Sequence, residues 1–169
     1  LNRNVKILDL GTGAGFPGIP LKITFPEIDI VLADSLNKRV KFLNEVVETL
    51  QLKQVETVHG RAEELAKNKK YREQFDLCTS RAVANLSSLS EYCIPFVKEG
   101  GRFISYKSGE IEEEVDQAKR AIHVLGGKLD QVYKFDLHEQ KRSFVIIEKV
   151  KKTPAVYPRK AGTPTKEPL

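Results

Sequence analysis

Closely spaced glycines place the strongest constraint on how this chain can fold. The stretch ILDLGTGAGFPGIPLKI holds four glycines, Gly11, Gly13, Gly15 and Gly18, directly after an apolar run that is typical of a buried strand. Glycine is favoured where the backbone adopts conformations that other residues avoid, or where a ligand comes close to the backbone. In an open parallel sheet, the loop after the first strand lies at the edge where ligands bind. The stretch therefore predicts a ligand site around residues 11–18.

Apolar runs alternate with helical periodicities along most of the chain. We predict strands at 5–10, 28–34, 55–59, 75–80, 101–107, 129–137 and 143–150. We predict helices from 17 or 20 to 25, and at 36–50, 61–69, 86–93 and 111–125. Pro95 should end or kink the fourth helix, and Gly126 and Gly127 should cap the fifth. No helix separates the last two strands, so the pattern predicts an α/β three-layer sandwich with a mainly parallel sheet and a reversed strand near the C-terminus.

Length and composition exclude several classes of protein. At 169 residues the chain fits one domain with a substantial core. It shows neither a run of about 18 apolar residues nor a secretory leader, so we expect no membrane span. The two cysteines, Cys78 and Cys93, lie in apolar patterns without C-x-x-C spacing, and the three histidines are scattered, so we expect no disulfide and no metal site. A cytoplasmic location fits these features best.

Both ends of the chain are unusual. The chain contains no methionine and begins at Leu1, almost inside a strand pattern, so we expect a further N-terminal segment upstream. Its net charge of +5 equals that of residues 149–169 alone, where six basic residues accompany Glu167 and prolines recur. This composition is typical of an arm that lies along a polyanion, and a solvated tail is the alternative. We therefore divide the chain into a folded domain, 1–150, and a basic C-terminal tail, 151–169.

Two classes of cofactor compete for the glycine stretch. Residues 13–18 can be matched to the dinucleotide fingerprint G-x-G-x-x-G, which would indicate a nicotinamide-binding protein. That fingerprint places its first glycine at the strand end, whereas here Gly11 comes first and Asp9 precedes it. An acid followed by glycines in this order resembles motif I of class I S-adenosylmethionine-dependent methyltransferases. A carboxylate suits the ammonium and sulfonium of that cofactor and would repel a pyrophosphate; alternatively, Asp9 caps nearby backbone amides.

Acidic residues also mark the ends of the next two predicted strands. Asp34 ends the second strand, where a carboxylate can accept hydrogen bonds from the ribose hydroxyls of either cofactor. Its alternative role is to cap the helix that follows. After the third strand, Arg61 and Glu63 stand where a class I fold contacts the adenine side of the cofactor.

The fourth strand ends in Thr-Ser-Arg-Ala, with Arg81 as its distinctive residue. The Asn/Asp-Pro-Pro-Tyr box of many amino-group methyltransferases is absent there, and so is a cysteine nucleophile. A guanidinium stays protonated near neutral pH and cannot act as a general base. We therefore expect an acceptor that needs no deprotonation, such as a purine ring nitrogen. The alternative role for Arg81 is a surface ion pair.

Several runs together resemble the RsmG (GidB) family, bacterial methyltransferases that modify N7 of a guanine in small-subunit ribosomal RNA. The matching runs are LGTGAGFPGIPLKI, ADSLNKRVKFL, HGRAEEL, TSRAVANLSSLSEYCIPFVKEGG and TPAVYPRKAGTPTKEPL. The resemblance implies a class I, Rossmann-like methyltransferase domain in residues 1–150 and S-adenosyl-L-methionine as cofactor. It implies 16S ribosomal RNA or the small ribosomal subunit as partner, and we expect a monomer. A catalytically inactive RNA-binding module is a further alternative.

The resemblance also assigns residues to the expected site. Together with the loop pattern, it implies these cofactor-binding residues: Asp9, Gly11, Gly13, Gly15, Phe16, Asp34, Ala62, Glu63 and Arg81. Arg61 and Arg142 resemble the family's other functionally important arginines, so Arg81, Arg61 and Arg142 are the candidate catalytic residues. The implied mechanism is direct, in-line transfer of a methyl group to guanine N7 without a covalent intermediate.

Overall fold

The computed structural model describes residues 4–82 and 84–169. The strands are β1 (Lys6–Leu10), β2 (Asp29–Asp34), β3 (Val55–His59), β4 (Phe75–Ser80), β5 (Val97–Ser108), β6 (Gly127–Leu137) and β7 (Gln140–Lys149). The helices are α1 (Gly18–Thr24), α2 (Asn37–Thr49), α3 (Ala62–Leu65), α4 (Leu86–Cys93), α5 (Glu112–Val124) and α6 (Thr163–Lys166). In the part of the chain described, no helix is long and apolar enough to cross a bilayer.

All seven strands join one sheet in the order β3-β2-β1-β4-β5-β7-β6. Strands β1 to β5 pair in parallel, whereas β7 runs antiparallel to both β5 and β6. The predicted reversed strand is therefore β7. It follows β6 through a two-residue turn, His138 and Glu139, whose positive φ angles of 47° and 63° suit a tight hairpin. From β1 the chain first adds strands on one side and then on the other, so the order reverses between β1 and β4.

The sheet is covered on both faces, which confirms the three-layer arrangement. Neighbouring residues of a strand point to opposite faces, and in β1 both Ile7 and Leu8 are buried. Ile7 packs in a cluster with Ile19 of α1 and Leu43 of α2. Leu8 belongs to the larger cluster on the other face, which includes residues of α4 and α5 such as Leu89. Strands buried on both faces read as continuous apolar runs, and this is the pattern on which the prediction depended.

Local boundaries differ from expectation at two places. Strand β5 begins at Val97 rather than at residue 101. Its pairing with β4 shifts register near Phe75, and the strand contains Gly100 at φ 81° close to this shift. Helix α3 ends at Leu65, four residues before the predicted end. The expected terminators are in place, since α4 stops at Cys93 before the 3-10 turn that contains Pro95. After α5, the chain turns through a left-handed residue at position 126.

The segment 151–169 folds back over α3 and α4 instead of leaving the body. The guanidinium of Arg72 donates hydrogen bonds of 2.8–3.2 Å to carbonyl oxygens of Thr153, Pro154 and Tyr157. At the start of this region, Lys149 is buried and its Nζ donates to the carbonyl oxygens of residues 94 and 97. The positive charge of Lys149 is therefore turned inward, and the basic pattern of the segment overstates the charge available to a polyanion.

Candidate functional site

A cleft of about 300 Å³ opens at the carboxyl edge of the sheet, beside the point where the strand order reverses. Ligands of open α/β sheets bind in this position. The β1–α1 loop contributes Gly11, and the end of β2 contributes Asp34. Residues 60–63 form the next part of the wall, and Leu89 and Tyr92 of α4 face them. The lining combines apolar carbon with carboxylates, a combination suited to a flat, partly polar ligand.

The four glycines of the β1–α1 loop do two different jobs. Gly11 and Gly13 have φ angles of 68° and 61°, and a Cβ added at either would meet no atom within 4 Å. Their conformation favours glycine, and the space beside them is open to a ligand. Gly15 and Gly18 instead allow close packing, because a Cβ would lie 2.5 Å from Ile19 Cγ1 and 2.3 Å from Leu32 Cδ2, respectively.

Asp9 lies behind this loop and does not line the cleft. It is fully buried, and its Oδ2 accepts hydrogen bonds from Thr12 Oγ1 (2.6 Å) and from the Gly18 N–H (2.9 Å). Its Oδ1 accepts from Thr79 Oγ1 at 3.2 Å. Burial raises the pKa of the Asp9 carboxyl, although these hydrogen bonds and the charge of Arg81 act in the opposite direction. The geometry therefore matches the alternative role given above, a carboxylate that fixes the shape of the loop.

The N-terminus of α1 is unsuited to a pyrophosphate. Dinucleotide-binding folds place this group on free N–H groups at the start of the first helix. Here Pro17 and Pro20 have no N–H, and the N–H of Gly18 already donates to Asp9. The N–H of Ile19 donates to a carbonyl oxygen of the preceding loop at 2.7 Å. The first turn thus offers no free donor, which disfavours the nicotinamide alternative.

Asp34 stands at the end of β2, where the sequence predicts a ribose-binding carboxylate. Its Oδ2 accepts from the Gly13 N–H at 2.9 Å, and its Oδ1 accepts from the Leu36 N–H at 2.9 Å. Arg39 approaches Oδ2 at 3.5 Å. A carboxylate offers about four lone-pair sites, so Asp34 can shape the loop and still accept a hydroxyl donor. Leu36 occupies the N-cap position of α2 without a side-chain capping bond, and the Asp34 side chain accepts from its N–H instead of capping the helix.

The segment after β3 supplies a second carboxylate. Arg61 is exposed and precedes α3, while Ala62 and Glu63 form its first turn, and all three line the cleft. Glu63 is only 6% exposed, and its Oε1 accepts a hydrogen bond from the N–H of Gly162 at 3.0 Å. The cleft thus has an acceptor on either side, Asp34 on β2 and Glu63 on α3.

Arg81 and Phe16 pair across the point where the strand order reverses. Arg81 follows β4, and its guanidinium carbon lies 5.7 Å from the centre of the Phe16 ring in the glycine loop. Arg81 is exposed, and among the described residues it forms no ion pair. The neighbouring residues Ser80 and Ala82 line the cleft. The structure therefore brings Arg81 to the rim of the cleft, beside the loop.

Arg142 lies apart from this group. It opens β7 and pairs with Ser108 at the end of β5, so it occupies the same edge of the sheet, two strands beyond β4. Its guanidinium contacts Gln140, and it borders a separate depression with Phe135 and Lys141. Arg61 and Arg81 therefore lie at the cleft. Arg142 lies at the same edge of the sheet, but two strands away from β4.

Sequence reasoning missed part of the wall. Leu89 and Tyr92 come from α4, which the sequence marks only as a helix with an apolar stripe. Their position depends on how α4 packs, and no local pattern reports that. Gly162, the partner of Glu63, lies 99 residues further along the chain, in a segment that the sequence assigns to a tail.

Solved structures with a similar fold include several methyltransferases. A putative methyltransferase from Bacillus halodurans has a TM-score of 0.69 at 16% identity, covering 89% of this chain and 95% of that chain. TrmN from Thermus thermophilus has a TM-score of 0.67 at 16% identity, covering 88% of this chain and 45% of that chain. The fold is that of the class I S-adenosylmethionine-dependent methyltransferases.

The chain belongs to the GidB family, described as rRNA small subunit methyltransferase G, whose model matches residues 1–145. The ribosomal RNA small subunit methyltransferase G of Clostridium novyi (strain NT) is 54% identical over 171 residues, covering 100% of this chain and 70% of that protein. The protein of the same name from Clostridium tetani (strain Massachusetts / E88) is 54% identical over 166 residues, covering 97% of this chain and 70% of that protein. The resemblance found in the sequence is confirmed.

Proposed function

We propose that this chain transfers the methyl group of S-adenosylmethionine to N7 of a guanine in small-subunit (16S) ribosomal RNA. The main support is the cleft at the reversal of strand order, with Arg81 at its rim, in a chain of the rRNA small subunit methyltransferase G family. The proposal includes a cytoplasmic monomer whose residues 1–150 carry the groups that touch the cofactor. Residues 151–169 form a basic C-terminal tail.

The cleft fits this cofactor in shape and in chemistry. The open space beside Gly11 and Gly13 leaves room for a ligand against the backbone. Asp34 would accept the ribose hydroxyls, and Glu63 would accept a hydrogen bond from the amino group of adenine. Leu89 on α4 supplies apolar surface for the purine ring. Asp9 would act indirectly, because it holds the loop from behind.

The residues of the chain contribute mainly by positioning. When bound, S-adenosylmethionine supplies an electrophilic methyl group on a positively charged sulfur. Guanine N7 would form the new bond with its in-plane lone pair while the S–CH3 bond breaks and its electrons go to sulfur, so no side chain would have to remove a proton first. Holding the two reactants in line can contribute several kcal/mol of the barrier, roughly 7–11 in well-oriented cases. The target guanine must leave its stack to enter the cleft.

Arg81 would hold the RNA beside the cofactor. A bidentate contact from arginine to O6 and N7 of guanine would block the reacting nitrogen. We therefore assign Arg81 to the neighbouring phosphate or to the face of the base, with Arg61 as a second contact on the same rim. Arg142 and the exposed Lys166 would add phosphate contacts that weaken as salt rises.

The proposal is tested by locating the transferred methyl group. The protein is incubated with S-adenosylmethionine labelled in its methyl group and with small ribosomal subunits or their RNA, and the RNA is digested to nucleosides. We expect the label in 7-methylguanosine. Label in another nucleoside would exclude the N7 assignment. Binding of the cofactor without any label in RNA would favour the catalytically inactive RNA-binding module.

The role of Arg81 has its own test. We expect Arg81→Ala to lower kcat/KM for RNA methylation by about 100-fold, because the RNA is no longer held in line. Stability should change little, since an exposed cation–π contact contributes about 0.5–1 kcal/mol. Arg81→Lys is the matched control for charge without the planar guanidinium. Equal losses of activity and of thermal stability would make Arg81 a structural residue.

A further inference from the structure

The outer wall of the cleft is supported by a part of the chain that lies beyond the matched family region, residues 1–145. We call residues 159–167 the brace. The brace contains the short helix α6 and packs against α4, while its residue 162 contacts α3. Helices α3 and α4 provide Glu63 and Tyr92 to the cleft. The brace therefore contacts both helices that carry the adenine side of the site.

The first contact fixes a carboxylate of the site. The N–H of Gly162 donates to Glu63 Oε1 at 3.0 Å, at a left-handed residue with φ 83°. Within residues 4–82 and 84–169, Glu63 Oε2 accepts no hydrogen bond from the protein, and Glu63 lines the cleft. One oxygen is thus held by the brace, and the other remains for a ligand. An ionised carboxylate accepts hydrogen bonds and cannot donate them. It therefore selects a ligand group that donates, such as an amino group.

The second contact holds an aromatic side chain of the site. The hydroxyls of Tyr92 and Thr165 lie 2.6 Å apart and share a hydrogen bond. Tyr92 lines the cleft from α4, and Glu63 lines it from α3. Thr165 belongs to α6, so the same short segment restrains one cleft side chain on each of these two helices.

A buried ion pair anchors the brace to α4. Glu91 is fully buried, and Arg159 Nη2 donates to its Oε2 at 2.7 Å while Arg159 Nε contacts both carboxylate oxygens at 3.0 and 3.1 Å. The backbone N–H of Arg159 also donates to Glu91 Oε1 at 2.7 Å. Arg159 Nη2 also donates to the carbonyl oxygen of Glu167 at 2.7 Å, which ties the first residue of the brace to its last. Arg159 therefore fixes both ends of the brace, and its partner Glu91 is next in sequence to Tyr92.

From these contacts we infer that the brace sets the selectivity of the cleft for adenine, with Arg159 as a positioning residue that does not touch the cofactor. The inference rests on the proposed function, because it concerns the adenine side of the same cleft. Releasing the brace frees Glu63 and Tyr92 to adopt other rotamers. The cleft then loses the fixed acceptor that distinguishes the amino group of adenine from the oxo group of hypoxanthine.

The test compares two ligands that differ in that group and in the hydrogen that hypoxanthine carries at N1. Dissociation constants of S-adenosylhomocysteine and its hypoxanthine counterpart, S-inosylhomocysteine, are measured by calorimetry for the wild-type protein and its variants. For Arg159→Ala we expect the preference for the adenine ligand to fall about tenfold, the scale of one hydrogen bond to a charged group. Thr165→Val should lower it by a smaller factor, about twofold to threefold. Lys160→Ala, which removes an exposed charge from the same segment, should leave it unchanged.

The outcomes separate the inference from the proposed function. If the wild-type protein binds neither ligand, the proposed function fails and the inference fails with it. If the wild-type protein prefers adenine and Arg159→Ala keeps that preference while both affinities or the melting temperature fall, the brace is only a stabilising element and the inference alone is overturned. If Arg159→Ala does not fold, Thr165→Val decides, since it leaves the ion pair intact. An unchanged preference in Thr165→Val would then overturn the inference.

Discussion

The two walls of the cleft depend on two fully buried carboxylates that are held in different ways. Asp9, behind the glycine loop, accepts hydrogen bonds from uncharged donors, the Gly18 N–H and the hydroxyls of Thr12 and Thr79. Glu91, behind the opposite wall, accepts from the guanidinium and the backbone N–H of Arg159. Of the partners of Asp9, Thr12 and Gly18 lie within nine residues and Thr79 lies 70 residues away, whereas Arg159 lies 68 residues from Glu91.

The difference shows how two walls of one site can respond differently to the same kind of change. Around Asp9 no opposite charge is bonded, so burial is the largest influence and raises the pKa of its carboxyl. Removing that charge leaves uncharged donors that an amide oxygen can still satisfy. Around Glu91 each charge is bonded to the other, so removing one leaves the other without its partner. We call the side formed by the loop 11–18 the glycine wall and the side formed by α3 and α4 the braced wall. The glycine wall should tolerate neutralisation of Asp9, whereas the braced wall should not tolerate loss of either charge of the Arg159–Glu91 pair.

The largest effect is expected from breaking the ion pair. Arg159→Ala leaves Glu91 buried without its partner, and we expect the free energy of unfolding to fall by about 3–5 kcal/mol. Chemical denaturation measures this loss, with Lys160→Ala as the control at about 0.5 kcal/mol or less. Adding Glu91→Leu to Arg159→Ala should recover part of the loss, because the buried charge is gone. A single variant no less stable than the control would contradict the comparison.

The glycine wall is tested by two alanine substitutions in the same loop. Gly15→Ala places a Cβ 2.5 Å from Ile19 Cγ1 at φ 98°, so we expect a loss of about 2–4 kcal/mol of stability from overpacking and strain. Gly11→Ala meets no atom within 4 Å, so only the strain of its φ of 68° applies, about 1–2 kcal/mol.

The two substitutions should reverse their order in cofactor binding. Gly11 lines the cleft, so a methyl group there takes space from the ligand, and affinity for S-adenosylhomocysteine should fall about tenfold. Calorimetry on folded protein gives this value, and denaturation gives the stability. If Gly15→Ala were the milder variant in stability, the assignment of Gly15 to packing would be wrong.

The same contrast explains what the sequence could predict. The sequence predicts the positions of three parts of the site: the glycine loop, Asp34 at the end of β2 and Arg81 after β4. Each lies within a few residues of a strand end that the apolar pattern marks. Parallel strands bring their carboxyl ends to one edge, so local signals were enough to assemble them. Asp9 was placed correctly along the chain, but a sequence pattern could not decide between facing a ligand and facing the loop.

The contacts that brace the second wall could not be predicted from the sequence, because they join distant positions. Glu63 and Gly162 are separated by 99 residues, and the charges of Arg159 and Lys149 read as part of a basic tail. In the structure Arg159 is paired with Glu91, and Lys149 donates to buried carbonyl oxygens. Net charge reports how many cations a segment has and not which of them are already bonded.

Asp9→Asn should cost little and should show a defined pH dependence. We expect a loss of about 1 kcal/mol near neutral pH, since the amide keeps one acceptor oxygen for the loop. The pKa of Asp9 is raised in the folded protein above its ordinary value of 3.8, mainly by burial. Between pH 3.8 and the pKa of Asp9 in the folded protein, the folded protein holds a proton that the unfolded chain has released. The contribution of Asp9 to stability is therefore complete below pH 3.8 and declines as pH rises. The difference between wild type and variant, measured by denaturation from about pH 4 to pH 7, should shrink as pH rises.

The smallest expected effect has the opposite sign with pH. Glu73 accepts a hydrogen bond from the Thr153 N–H at 2.9 Å and pairs with Lys149 at 3.1 Å, where the chain enters the segment 151–169. Burial alone would raise the pKa of Glu73, but the Thr153 N–H and the Lys149 ammonium lower it below its ordinary value of 4.5. Its stability is therefore present above pH 4.5 and is lost as pH falls through the folded pKa.

Glu73→Gln tests this sign, because the amide keeps an acceptor oxygen and loses the charge. We expect a small deficit against wild type near neutral pH, about 1 kcal/mol or less, because the carbonyl oxygens of residues 94 and 97 still accept from the Lys149 ammonium. The deficit should close as the solution is acidified below pH 4.5, whereas the difference for Asp9→Asn should grow over the same change. Parallel pH profiles for the two variants would contradict the opposite pKa shifts assigned to Asp9 and Glu73.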